Sequence, residues 1–139
     1  MTSITEIGTA LDLPRSGLPV GEEASRLLEL GEEVLVHWVR ARELEPTCDE
    51  REGFRLLALH RQGAKGDPSF NACRETCREL AYYYNLVSSD AGHPEIDKRL
   101  ELMRLVAQQL YLFISGKMQF DQLGEFCCAS KPLRLGEQN

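Results

Sequence analysis

Apolar residues recur at intervals of three and four along most of this chain. No stretch alternates apolar and polar residues with the period of two that a half-buried strand needs. The pattern predicts helices throughout. Ala24, Leu27, Leu28, Gly31, Leu35, Trp38 and Val39 draw one stripe and place a first long helix over about residues 21–44. Glu22 and Glu23 stand at its positive end, and Pro46 lies just past its other end. Thr47 followed three residues later by Glu50 reads as a capping box, so a shorter helix is expected from there to about Gln62, with Phe54, Leu57 and Ala58 inward.

Gly63 and Gly66 break the pattern, and Asp67-Pro68 signals the next start, with a capping carboxylate and a proline in the first turn. The third helix then carries Phe70, Cys73, Cys77, Leu80, Ala81, Tyr84 and Val87 on one stripe. A fourth runs from Pro94 to Gly116, and a short last helix covers Met118 to Cys127. Short connections favour antiparallel neighbours. The expected fold is therefore all-α, a single-domain antiparallel bundle of four to five helices. Residues 1–20, with Pro14, Gly17 and Pro19, read as an N-terminal arm, although Ile4, Ile7 and Leu11 allow a short docked turn. The bundle is expected over 21–128, and 129–139 reads as a polar tail.

The fourth helix has more apolar surface than a core stripe needs. Ile96, Leu100, Met103, Ala107, Leu110 and Ile114 form one line. Leu102, Leu105 and Leu112, with Gln109 between the last two, form another. At 100° per residue, Leu105 and Leu112 point about 140–160° away from the first line. Tyr82, Tyr83 and Leu86 on the third helix, and Val36 on the first, likewise point away from their stripes. A helix apolar on two sides is either central in its domain or half of an interface, and contiguous apolar patches mark contact surfaces. The expected working surface is therefore Val36, Tyr82, Tyr83, Leu86, Leu102, Leu105, Gln109 and Leu112.

Composition narrows the choice of partner. The chain has 139 residues and a formal net charge of −6 from 16 basic and 22 acidic side chains, a balance that opposes nucleic-acid binding. Four of those negative units fall in residues 21–48, while 49–87 is neutral, which also argues against reading helices two and three as a helix-turn-helix. The start lacks a basic n-region and an apolar core of signal-peptide length, and no run is apolar enough to span a bilayer. With five cysteines, an odd number, the chain reads as cytoplasmic with reduced thiols.

Few residues carry the spacing that catalysis or ligand binding needs. Gly63-Ala-Lys-Gly66 lacks the order of a phosphate loop, and Ser88, Ser89, Asp90 and His93 are crowded into one loop rather than set on a frame. His37, His60 and His93 are scattered, and neither an enzyme activity nor a cofactor is expected. Cys73 and Cys77 are four apart on one helix face. With Cys127, Cys128 and His60 they could be drawn as a thiolate metal site, although small core positions suit them as well. The sequence thus points to a non-catalytic interaction module. It reads as a small bacterial regulator that binds another protein, such as a transcription factor it would restrain as an anti-activator, or that serves as an adaptor, with a homodimer as a further use of the same face. The alternative is a thiol-based metal-binding or redox-sensing protein.

Overall fold

The computed structural model describes residues 2–13 and 17–120. Among these residues five α-helices pack as a bundle: α1 (Ile4–Asp12), α2 (Val20–Ala41), α3 (Arg55–Ala64), α4 (Arg74–Ser89) and α5 (Ile96–Phe120). A 3-10 segment, Pro68–Cys73, leads directly into α4. No strand occurs among the described residues; the nearest approach is a single bridge between Arg51 and Phe54. No helix is long and apolar enough to cross a membrane among the described residues.

The central helix is α2, which packs against α1, α3, α4 and α5. Its stripe of Ala24, Leu27, Val34, Leu35, Trp38 and Val39 is fully buried. Gly31 lies in this stripe, where an added Cβ would stand 2.6 Å from Leu80 Cδ2 of α4, the movable end of that side chain. The second apolar line of α5 therefore does not mark the centre of the bundle.

Near the C-terminal end of α2, the Trp38 ring stacks on Phe70 at 5.0 Å, and its Nε1–H donates to the Gly63 carbonyl at 3.1 Å. Phe70 also stacks on His60 (5.2 Å) and meets Phe113 edge-on (6.1 Å). The 3-10 segment thus ties α2, α3 and α5 together through one buried ring. Asp67 and Ser69 extend the tie to α5 through Lys117 Nζ, at 3.1 and 2.9 Å.

Three expectations need correction. Residues 4–12 are a bundle helix and not part of an arm. Ile4, Ile7 and Leu11 are fully buried, and α1 packs on α2 and α5. Its N-terminus carries a capping box, in which Ser3 Oγ accepts from Glu6 N and Glu6 Oε1 accepts from Ser3 N. At its C-terminal end the Leu11 carbonyl accepts from Arg104 Nη1 (2.7 Å) and Gln108 Nε2 (3.1 Å) of α5.

The capping box expected at Thr47 and Glu50 does not form. Thr47 Oγ1 accepts instead from Asp49 N, two residues on, and Gln62 of α3 holds Thr47 N and the Glu45 carbonyl. A tight turn through Gly53 (φ +86°) then delays the helix to Arg55. The last helix and the fourth are continuous through Gly116 as far as Phe120. The remainder of the expected last helix, with Cys127, Cys128 and the tail, lies outside the described residues.

Candidate functional site

The outer side of α5 combines Leu102, Leu105, Gln109 and Leu112 at spacings of three, four and three. These residues lie on one line along the helix. Leu105 and Leu112 are 46% and 66% exposed, Gln109 is exposed and Leu102 half-buried. The opposite side of the same helix buries Leu100, Met103, Ala107, Leu110 and Ile114 against the bundle. Neighbouring α4 shows Tyr82 at 59% exposure, with Tyr83 and Leu86 half-buried. The two tyrosine rings meet edge to face at 5.3 Å. Val36 does not join them. It is 3% exposed and part of the core, so the surface reading of that residue is wrong. The wheel angle of Val36 misled because α2 is packed on several sides at once.

A second constellation lies inside. His60 of α3, Cys73 at the end of the 3-10 segment and Cys77 of α4 are all buried, with one ring nitrogen and both sulfurs within 4.8 Å of one another. Both cysteines are free thiols. His60 Nε2–H donates to the Phe70 carbonyl at 3.2 Å, and the Cys73 thiol lies 3.3 Å from the same oxygen. The Cys77 S–H donor, aided by His60, lowers the Cys73 thiol to about 6 against the burial that opposes ionisation. The Cys77 thiol moves the other way, since it gives its hydrogen bond to Cys73 and is buried more deeply.

Sequence spacing put Cys73 and Cys77 on one face; the third member needs the fold. His60 precedes Cys73 by thirteen residues on a different helix, and the chain reversal through Gly63 and Gly66 brings it back. His37 and His93 are elsewhere: His37 Nε2 is 2.6 Å from the Thr2 carbonyl, and His93 Nδ1 accepts from Glu95 N at the entry to α5. His60 also lines an open cleft of about 1120 Å³, bordered by Arg51, Arg61, Lys65, Arg74 and Arg78 and by Asp49 and Glu50. That gathering of cations is invisible in a segment whose net charge is zero. No family model matches the chain, and neither a curated protein nor a solved structure matches it.

Proposed function

We propose that the chain is a non-catalytic protein-binding module, a small regulator whose working surface is the outer stripe of α5. The observation that carries this reading is the 46% and 66% exposure of Leu105 and Leu112 on a helix already buried along its other side. Spacings of three and four repeat on both sides of α5, and a second such seam is the footprint of a packed helix rather than of a small molecule. The occupant is therefore an amphipathic helix of a partner protein. Gln109 supplies a polar group in the seam that fixes register by demanding a matching donor or acceptor. On neighbouring α4, Tyr82 exposes a large, stiff ring, a side chain favoured at contacts. A transcription factor whose own helix fits this seam would be held inactive by it.

Leu105→Asp combined with Leu112→Asp tests the reading, because both side chains point outward and the variant keeps its core. Affinity capture and sedimentation are run on wild type and variant, with far-UV circular dichroism to check the fold. The expected result is a specific partner that binds the purified wild-type chain and loses at least ten-fold in affinity for the variant. A variant that changes only from two copies to one makes the occupant a second copy and removes the hetero-partner. Unchanged mass and unchanged capture remove the interface altogether.

A further inference from the structure

We propose that His60, Cys73 and Cys77 form a Cys2His site for a zinc ion, independently of the α5 surface. Three donor atoms from two helices and the segment between them lie within 4.8 Å, in a part of the molecule where every donor is buried. Zinc–sulfur and zinc–nitrogen bonds of about 2.3 and 2.0 Å require only a modest contraction of such a cluster. The donor set is two sulfurs and one imidazole without a carboxylate. That excludes magnesium and calcium and selects a thiophilic d10 cation. Two thiolates around a divalent ion make a neutral group, which suits a site walled by Phe70.

The surroundings hold the donors in place. Cys73 stands where the 3-10 segment passes into α4, and Cys77 follows one helical turn later, so both sulfurs leave the same face. The Phe70 carbonyl lies 3.2 Å from His60 Nε2 and limits how far the ring can turn. His60 is also a wall residue of the open cleft, so one of the three donors borders solvent-filled space. Binding is an acid–base exchange without redox change: Zn2+ replaces the thiol protons of Cys73 and Cys77, and these leave to solvent.

The test uses the full chain, reduced and stripped of metal, with cobalt(II) as the spectroscopic stand-in for zinc. A Cys127→Ser, Cys128→Ser background removes the remaining vicinal thiols. One cobalt per chain is expected, with a thiolate charge-transfer band and the intense visible bands of a four-coordinate centre completed by water, both abolished by one equivalent of zinc. Cys73→Ala and Cys77→Ala, each small enough for the core, should lose the band, and His60→Gln should weaken binding at least ten-fold. Cobalt bound equally by Cys73→Ala, or not bound by the background chain, overturns the site. A readout without core variants is alkylation of the wild-type chain in mild denaturant, with exposed Cys48 as internal control. Zinc should protect Cys73 and Cys77 selectively, and equal labelling with and without zinc overturns the proposal. Retention of copper(I) with no measurable zinc affinity overturns the choice of ion.

Discussion

The contact between Gly63 and Trp38 shows how much a single missing Cβ decides. A Cβ at Gly63 would stand 2.7 Å from Trp38 Cδ1 and 3.2 Å from Phe70 Cε2, two rings locked in a stack. Rigid rings cannot yield as an aliphatic end can, so Gly63→Ala should destabilise by about 1–3 kcal/mol. A Cβ at Gly31 would be tight only against the terminal Cδ2 of Leu80 (2.6 Å), with Leu56 Cδ1 and Leu110 Cδ2 at ordinary contact of 3.6 and 3.7 Å, and alanine in a helix interior gains up to about 1 kcal/mol in propensity. Gly31→Ala should therefore stay within about 1 kcal/mol of wild type. Urea unfolding of both variants, followed by Trp38 fluorescence, checks the ordering. Asp67 makes a pH-dependent case. The Ser69 hydroxyl first, then Lys117 and Arg42, hold its carboxyl below the usual range. A depressed folded-state value means that the contribution is complete above the ordinary aspartate range and fades as pH falls through the lower folded value. Asp67→Asn should cost about 0.5–1 kcal/mol at pH 7, and the gap from wild type should close in strong acid. Equal stability loss at both ends of that range would show that Asp67 acts through shape rather than charge.

At the scale of elements, periodicity and motif carry unequal weight. The stripes of α4 and α5 are legible because their buried apolar residues obey one helical period, that of α2 is legible except where packing on several sides also buries Val36, and the outer line of α5 is legible by the same rule. The Thr47–Glu50 motif fails because Gln62, fifteen residues away from Thr47, claims its N–H. Ser3-x-x-Glu6 succeeds because no distant side chain claims the Ser3 N–H, which Glu6 Oε1 accepts at 2.9 Å, yet Pro14, Gly17 and Pro19 hid its helix behind loop signals. The metal cluster is half legible, two cysteines from helix spacing and the histidine only from the reversal between α3 and α4. The contrast between the two motifs can be measured. Ser3→Ala removes a real cap and should cost about 0.5–2 kcal/mol. Thr47→Ala removes one exposed local bond and should stay within about 0.5 kcal/mol of wild type. Urea midpoints at constant slope distinguish the pair, and equal midpoints would mean that α1 frays before the bundle opens.

For the whole molecule, the question is whether α1 belongs to the same cooperative unit as the rest. Its buried residues Ile4, Ile7 and Leu11 face α2 and α5, and Arg104 and Gln108 of α5 close its last turn. Gly8 lies so near Tyr111 that an added Cβ would meet the ring at 2.5 Å, so backbone and ring are in direct contact. A helix of nine residues is too short to persist alone in water, and its stability has to come from this packing. Removing it in turn uncovers part of the core, so neither side is indifferent to the other. Ile7→Ala should therefore cost about 2–5 kcal/mol, the range of a central core truncation. Leu13, one residue beyond α1 and 55% exposed, is the matched control, and Leu13→Ala should stay within about 0.5 kcal/mol of wild type. The loss at Ile7 should appear in global unfolding, with far-UV ellipticity and Trp38 fluorescence moving at one midpoint, although Trp38 sits against α3 and Phe70 rather than α1. An arm laid over a finished bundle would behave otherwise: Ile7→Ala would leave the Trp38 midpoint where it was and add an early, shallow loss of helix. Coincident probes place residues 4–12 inside the fold.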